Sequence, residues 1–242
     1  MSISTVLSPQ QMTAANEALK GKSPQDILRW AVDKFHPRLT MATAFGAEGC
    51  CIIHMLAEIQ PAVRIFNLET GYQFPETLEL REKIKQRYGI EVEYVRPALT
   101  VEEYEKEHGG PLYSSYSDQC CHDRKMVPLR KAVVGYDAWI SAIRKDQTLH
   151  RARADIVHWD AKFNLVKFNP LLEWTKKEVW NFINDHDIPY NSLHDRNYPS
   201  IGCWPCTRPV NEGEDDRSGR WFGTVKKECG LHVIEQESGS GI

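Results

Sequence analysis

The stretch from Val63 to Val95 reads VRIFNLETGYQFPETLELREKIKQRYGIEVEYV. Its apolar start, Val63–Leu68, is typical of a buried strand, and the charged, amphipathic part from about Pro75 to Tyr88 is typical of a helix. Gly89 is placed to end that helix, and Ile90–Val95 is a second strand candidate. A strand, a helix and another strand in this order predict a βαβ unit with parallel strands.

The same alternation continues on both sides of this unit. A strand candidate at Leu39–Thr43 comes before it and leads into an apolar helix that includes Cys51–Leu56. Another strand candidate, Ala138–Ala142, comes after it and follows a helix that begins near Cys121. Strands that alternate with helices of this length predict the α/β class, with a Rossmann-like, doubly wound, mostly parallel sheet and helices on both faces.

The segments outside this core are predicted to be shorter elements. Ser8-Pro9 and Ser23-Pro24 each combine an N-cap serine with a first-turn proline, so two helices open the chain. Ile156–Trp159 and Phe163–Phe168 are predicted to form a hairpin, and Thr175 begins a capping box for a further helix. Beyond about residue 187 the regular pattern fades into a loop-rich tail.

Composition places the chain among ordinary intracellular globular proteins. A net charge of −3 over 242 residues gives no support for a nucleic-acid partner, and no apolar run approaches the ~18 residues of a membrane-spanning helix. The N-terminus lacks the basic start and apolar core of a signal peptide. Seven cysteines, an odd number, favour a reducing compartment with metal-binding or catalytic thiols over a disulfide scaffold, which predicts a cytoplasmic protein.

Two cysteine pairs, Cys120-Cys121 and Cys203-Trp204-Pro205-Cys206, are predicted to hold a metal centre. Adjacent residues struggle to place both sulfurs on one tetrahedral zinc ion, whereas a cubane iron–sulfur cluster takes one thiolate on each of four irons. The pattern therefore favours a [4Fe-4S] cluster, with a zinc-binding module as the alternative. A further cysteine, Cys229, follows Lys226 and Lys227, and cations of this kind can activate a thiolate for redox or sulfur chemistry.

Two loops follow predicted strands, where doubly wound sheets bind their ligands. Thr43-Ala44-Phe45-Gly46-Ala47-Glu48-Gly49 contains small residues that allow backbone N–H groups to approach a phosphate, although a tight strand–helix turn explains the loop equally well. The loop at Leu68–Thr77 is more distinctive. By contrast, Cys50 and Cys51 lie in an apolar helix and are predicted to be core thiols.

Taken in order, these motifs resemble those of the assimilatory sulfonucleotide reductases, specifically the iron–sulfur-containing adenylyl-sulfate (APS) reductases that use thioredoxin. The resemblance covers roughly residues 25–235 and rests on Leu68–Thr77, Cys120-Cys121 with Arg124-Lys125, Ala138–Gln147, Asn169–Leu171, Gly202–Thr207, Gly219–Trp221 and Glu228–His232. Glu69 stands where this family commonly has an aspartate, and Gly46 and Ala47 vary the phosphate loop.

The resemblance implies both a fold and an arrangement of the chain. The fold is of the adenine nucleotide alpha-hydrolase-like, PP-loop type. Residues 1–242 are predicted to form one sulfonucleotide reductase domain, with N-terminal helices at 1–37, a nucleotide-binding α/β core at 38–186 and a cluster-binding, catalytic tail at 187–242. A homo-oligomer is a further possibility that the sequence leaves open.

The resemblance also implies a reaction that consumes adenylyl sulfate and reduced thioredoxin and yields sulfite and AMP, in sulfate assimilation and cysteine biosynthesis. Cys229 would attack the sulfur of the substrate and become an S-sulfonate, and a thioredoxin thiolate would then release sulfite. Lys125 and His232 are the other implied catalytic residues. The implied ligands of one [4Fe-4S] cluster are Cys120, Cys121, Cys203 and Cys206.

A phosphosulfate carries two negative charges, which predicts several cations around it. The residues predicted to bind the substrate are Thr43, Ala44, Phe45, Leu68, Thr70, Gly71, Lys125, Arg144, Arg151, Arg217, Arg220 and His232. In this interpretation an anionic cluster orients Lys125 and tunes the charge that faces the substrate. The alternatives are a reductase of the 3′-phosphorylated nucleotide (PAPS) or of both nucleotides, a PP-loop ATP pyrophosphatase, and the zinc-binding module.

Overall fold

The structure is a computed structural model that describes residues 7–224, 226 and 228–232. Its helices are α1 (Pro9–Leu19), α2 (Pro24–Phe35), α3 (Ala47–Ile59), α4 (Pro75–Tyr88), α5 (Val101–Glu107), α6 (Leu112–Ser115), α7 (Ser117–Cys121), α8 (Val127–Ala132) and α9 (Lys176–Asp185). A π-helical turn spans His122–Met126, and 3-10 turns span Lys145–Gln147, Arg151–Arg153, Ser192–Arg196 and Trp204–Cys206. In this described part no helix is both long and apolar enough to cross a bilayer.

Within the described residues, six strands form one sheet in the order β3-β2-β1-β4-β6-β5. The strands are β1 (Leu39–Thr43), β2 (Arg64–Leu68), β3 (Glu93–Val95), β4 (Ala138–Ile140), β5 (Val157–Asp160) and β6 (Leu165–Phe168). All neighbours are parallel except β5, which pairs antiparallel with β6. The predicted doubly wound, mostly parallel sheet with its appended hairpin is confirmed.

The order of the strands creates a binding crevice. From β1 the chain adds β2 and β3 on one side, and then crosses to β4 on the other side of β1. The loops after β1 and β4 therefore lead away in opposite directions, and the gap between them at the carboxyl ends is where such sheets bind ligands. Met41 marks the centre, since it is fully buried and pairs with Ile65 of β2 and Ile140 of β4.

Local capping explains where the predicted helices begin and end. The side chains of Ser8, Ser23 and Thr175 each accept a hydrogen bond from a first-turn N–H group, as the sequence predicts. The helix α4 ends at Gly89, which adopts the left-handed conformation with φ of 67°. The strand β3 is shorter than predicted, because its pairing with β2 begins only at Glu93, beside Phe66.

The two cysteines of α3 are core residues, as predicted. Cys50 and Cys51 are almost completely buried, and their sulfurs lie 3.9 Å from the carbonyl oxygens of Phe45 and Val179. Burial raises the pKa of the Cys50 thiol to about 12 and also raises the pKa of Cys51. Both groups are therefore protonated thiols at neutral pH, with no reactive thiolate.

These two thiols are expected to resist alkylation in the folded protein. Iodoacetamide at pH 8 should leave Cys50 and Cys51 unmodified until guanidinium unfolds the chain, because both access and thiolate formation are suppressed. Peptide mass spectrometry of samples taken over time measures this directly. Rapid labelling of either residue in native protein would contradict the burial of α3.

Candidate active site

A cleft of about 870 Å³ lies over the carboxyl ends of β1, β2 and β4, a volume typical of a small-molecule site. The loop-rich tail folds back to form its other wall. The backbone N–H of Arg208 donates to the carbonyl oxygen of Gly219 at 3.0 Å, and Thr207 forms a β-bridge with Arg220. The residues predicted to act on the substrate that line this cleft are Thr43, Ala44, Leu68, Thr70, Lys125, Arg144, Arg151, Arg217, Arg220, Cys229 and His232.

Two residues predicted to bind the substrate, Phe45 and Gly71, lie outside the lining of the cleft. Phe45 has a positive φ of 55°, its side chain is buried in the core, and its N–H donates to Thr43 Oγ1 at 3.0 Å. Gly71 has a φ of 80°, and a Cβ there would overlap Val101. Both residues shape their loops through the backbone, and their neighbours Ala44 and Thr70 line the cleft.

The four paired cysteines come together at one end of the cleft. Burial, followed by the neighbouring sulfurs of Cys121, Cys203 and Cys206, raises the pKa of the Cys120 thiol to about 12. Cys203 Sγ lies 3.3 Å from Thr70 Oγ1, and the N–H of Trp204 donates to the carbonyl oxygen of Tyr72 at 2.8 Å. Among the described residues no group of three or more histidine, cysteine, aspartate or glutamate side chains is arranged to hold a metal ion. The four sulfurs come from two separate segments of the chain and lie close enough to affect one another's ionisation.

The adjacent cysteines end α7, and the π-helical turn that follows separates two basic neighbours. Arg124 is buried and donates from Nε to the carbonyl oxygen of Thr70 at 2.6 Å, while Asp123 accepts from the hydroxyl of Tyr104 at 2.8 Å. The first bond fastens the cysteine-bearing segment to the loop after β2, and the second fastens it to α5. Lys125 instead lines the cleft. Arg124 therefore has a structural role, whereas Lys125 lies at the candidate site.

Lys125 is half-buried between the paired cysteines and Cys229. Burial opposes its charge, yet the sulfurs of Cys203, Cys121 and Cys229 outweigh that effect and raise the pKa of the Lys125 ammonium group. None of the ion pairs within the described ranges gives Lys125 a carboxylate partner. The ammonium group of Lys125 therefore lies beside the cysteine sulfurs on one side and faces the cleft on the other.

The arginines of the cleft differ in how far their charges are already compensated. Arg144 pairs with Glu48 and, at 2.9 Å, with Asp146. Arg220 donates instead to neutral oxygens, Ser200 Oγ and the carbonyl of Ile201, both at 3.3 Å. The buried Nε of Arg220 has no hydrogen-bond partner among the residues described. Arg220 and Lys125 thus present the cationic charge that a bound anion can use.

Residues 230–232 lie on the β5–β6 hairpin. Lys162 Nζ donates to the carbonyl oxygen of Gly230 at 3.0 Å, and Lys167 Nζ lies 3.3 Å from His232 Nδ1. Lys167 is 3% exposed and forms an ion pair with Asp160 at 3.6 Å. Sequence reasoning missed this role of the hairpin. The available signal was Lys167 itself, a lysine within an otherwise apolar strand.

His232 is held as a neutral donor. Its ring is parallel to Trp139, with an interplanar angle of 7° and a centroid distance of 6.3 Å. Burial, then the charges of Lys167 and Arg151, lowers the pKa of His232 well below its usual value. The Lys167 ammonium donates to Nδ1, so the hydrogen-bond network assigns the ring proton to Nε2. A neutral N–H of this kind can donate to an anionic oxygen in the cleft.

Lys226, one of the two lysines before Cys229, has its own partners away from that cysteine. Lys226 Nζ donates to the carbonyl oxygen of Ser117 at 2.8 Å and pairs with Asp118 at 2.9 Å. It therefore ties the tail to the segment that carries the adjacent cysteines. Lys227 lies outside the described residues.

Comparisons with known proteins agree with this architecture. The sequence profile of the Phosphoadenosine phosphosulfate reductase domain matches residues 38–209. The chain is 44% identical over 218 residues to an adenosine 5'-phosphosulfate reductase of Halalkalibacterium halodurans, covering 90% of this chain and 94% of that relative. It is also 44% identical over 214 residues to a phosphoadenosine 5'-phosphosulfate reductase of Gloeobacter violaceus, covering 87% and 89% of the two chains.

Comparison with solved structures also finds a member of this reductase family. The crystal structure of a phosphoadenylyl-sulfate (PAPS) reductase from Candida auris, in a phosphate complex, matches with a TM-score of 0.76 at 32% identity, covering 86% of this chain and 100% of that one. The FMN adenylyltransferase of Candida glabrata, at 14% identity and a TM-score of 0.57 over 85% of this chain and 67% of that one, shares the fold alone. Because the profile spans well over half of the sequence, this chain belongs to the phosphoadenosine phosphosulfate reductase domain family.

Proposed function

We propose that this protein is a thioredoxin-dependent adenylyl-sulfate reductase, which forms sulfite and AMP in sulfate assimilation through an S-sulfonate on Cys229. The observation that carries the proposal is that Cys229 lines the same strand-end cleft as Lys125, Arg220 and His232. A nucleophilic sulfur, two cations that have no carboxylate partner in the described part of the chain, and a neutral N–H donor are the groups that a transfer from a phosphosulfate needs. Relatives named for this activity support the choice of substrate.

The first proposed step forms the covalent intermediate. The Cys229 thiolate attacks the sulfur of the phosphosulfate, and the bond between that sulfur and the bridging oxygen breaks. The electron pair stays on the oxygen, so AMP leaves with the extra negative charge. Lys125 and Arg220 stabilise that charge where it develops, and His232 Nε2–H donates to a sulfonate oxygen.

The second proposed step regenerates the enzyme. One thioredoxin thiolate attacks Cys229 Sγ, sulfite leaves with the electron pair of the S–S bond, and a mixed disulfide remains. The second thioredoxin thiol resolves it, which leaves oxidised thioredoxin and free Cys229. Thioredoxin supplies both electrons, so this route balances. Residues 230–232 must leave the hairpin for a protein partner to reach Cys229, which is partly buried in this arrangement.

We also propose that Cys120, Cys121, Cys203 and Cys206 hold one [4Fe-4S] cluster. The residues fit such a group, because four sulfurs converge from two segments and Lys125 lies beside them. When bound, the cluster supplies a concentrated negative charge and a covalent link between α7 and the tail. The seven free cysteines suit a reducing compartment, and we place the enzyme in the cytoplasm.

A competing proposal is that the enzyme reduces PAPS rather than adenylyl sulfate. The Gloeobacter violaceus relative, as similar as the named APS reductases, carries that name. Turnover of the two nucleotides at equal concentration separates the proposals. We expect adenylyl sulfate to be reduced faster.

Anaerobic purification followed by iron, sulfide and sulfite analysis tests the proposed function. We expect about four irons and four sulfides per chain, and sulfite formation that requires both adenylyl sulfate and reduced thioredoxin. Pyrophosphate release from ATP without sulfite would instead favour a PP-loop pyrophosphatase. A colourless protein with one zinc ion and no sulfite formation would favour the zinc-binding module.

A further inference from the structure

Glu228, the residue before Cys229, is a buried carboxylate held by two arginines. Its side chain is 2% exposed. Arg151 Nε donates to Oε1 at 2.8 Å and Arg151 Nη2 donates to Oε2 at 3.1 Å, which makes the pair bidentate. Thr148 Oγ1 donates to Oε1 at 3.2 Å, and Arg217 Nη2 donates to Oε2 at 3.4 Å. The sequence assigned both of these arginines to the substrate.

The charge state of this group follows from its partners. Burial opposes ionisation of Glu228, but the guanidinium groups of Arg151 and Arg217 lower the pKa of its carboxyl. The carboxylate therefore neutralises one of the two cationic charges. Moving the Glu228 carboxylate away from its arginines would leave an uncompensated charge in the interior, which is costly. The side chain of Glu228 is therefore held firmly in this position.

Glu228 also completes a set of anchors that flank Cys229. On the other side of the cysteine, the carbonyl of Gly230 accepts from Lys162 and His232 contacts Lys167. Leu231 packs against the apolar cluster of Trp139 and its neighbours. On the N-terminal side, Glu228 supplies the adjacent anchor, and it reaches the loop after β4 rather than the hairpin. Anchors on both sides of a nucleophile restrict where its sulfur can lie.

We propose that Glu228 is a positioning residue, which holds Cys229 over the substrate sulfur through its bonds to Arg151, Arg217 and Thr148. These bonds must break before thioredoxin can reach Cys229. This proposal rests on the proposed function. A bidentate carboxylate–arginine pair fixes direction as well as distance, which an apolar contact does not. A small displacement of a reacting atom costs up to about a hundredfold in rate, so the anchor matters for attack on the nucleotide. The attack by thioredoxin does not need this anchor, because it takes place after the tail has moved away.

The test separates the two half-reactions in Glu228→Gln, which keeps the shape of the side chain and removes its charge. In a single turnover with adenylyl sulfate and no reductant, S-sulfonation of Cys229 should slow on the order of tenfold to a hundredfold. Release of sulfite from the preformed S-sulfonate by reduced thioredoxin should be as fast as in the wild type or faster. Alkylation of Cys229 by iodoacetamide, without nucleotide, should become several times faster, about the change that loss of one buried charged contact allows.

Two further variants complete the experiment. Glu228→Asp keeps the charge and should recover part of the S-sulfonation rate. Glu82→Gln removes an exposed carboxylate of α4, paired only with Arg81 among the described residues, and should match the wild type in all three assays.

Distinct results would overturn the proposal. Equal slowing of both half-reactions together with loss of iron would show that Glu228 only supports folding. Faster S-sulfonation with a lower KM would show that it competes with the substrate for the arginines. Unchanged alkylation would show that it does not hold the tail. Since alkylation uses no nucleotide, it tests the anchor even if the wild type forms no S-sulfonate, the result that would defeat the proposed function instead.

Discussion

Replacing Cys229 by serine is expected to abolish sulfite formation while the protein keeps its iron and its colour. A hydroxyl group is far less ionised than a thiol at neutral pH and cannot form the S-sulfonate, so the covalent route is closed. Turnover with thioredoxin should fall by about 10³-fold or more. Cys229 lies outside the group of four converging cysteines, and its loss should leave their arrangement intact.

The matched control for this variant is Cys51→Ala. Cys51 is a buried thiol of α3 that lies outside the cleft lining, so its removal should preserve turnover with at most a modest loss of stability. Nucleotide binding provides a second control, because Cys229→Ser retains every cation of the cleft. Residual sulfite formation near the wild-type rate would place the nucleophile elsewhere.

Replacing Lys125 by alanine is expected to lower turnover by about 10²–10³-fold without loss of iron. Its ammonium group lies beside sulfur on one side and faces the cleft on the other, where in the proposed mechanism the leaving phosphate gains charge. The loss should appear in single-turnover S-sulfonation. Release of sulfite by thioredoxin should change little, because that step has no phosphate leaving group.

Two comparisons sharpen this prediction. Lys125→Arg keeps the charge and should retain more activity than alanine. Lys131→Ala removes an exposed lysine of α8 and should behave as the wild type. Unchanged turnover of Lys125→Ala with normal iron content would remove the proposed role. Loss of iron in that variant would mean that Lys125 stabilises the cysteine centre rather than the reaction.

The fold could be predicted because its signals are local. The apolar strands β1 and β2 and the caps at Ser8, Ser23 and Thr175 depend on residues within a few positions of one another. The start of β3 could not be predicted in the same way. It depends on the register with β2, in which Glu93 pairs with Phe66, a residue far away along the chain.

The candidate site likewise contains some features that local sequence predicts and others that it does not. The cysteines and Lys125 could be singled out from the sequence because they belong to contiguous motifs, and their roles remain a prediction. The contacts of Glu228 with Arg151 and of Lys167 with His232 were missed, because they join residues 77 and 65 positions apart. Local sequence does not specify such pairs. The separate roles of Arg124 and Lys125 also depend on geometry, since the two residue types carry the same charge.

The most direct test of the account is a mass spectrum of the protein after it is mixed with adenylyl sulfate in the absence of any reductant. The account predicts one added SO₃ group per chain, located on the peptide that contains Cys229, together with one equivalent of AMP. Reduced thioredoxin should then remove the group and release sulfite. A protein that forms sulfite in the complete assay yet shows no adduct on Cys229 before reductant is added would contradict the account.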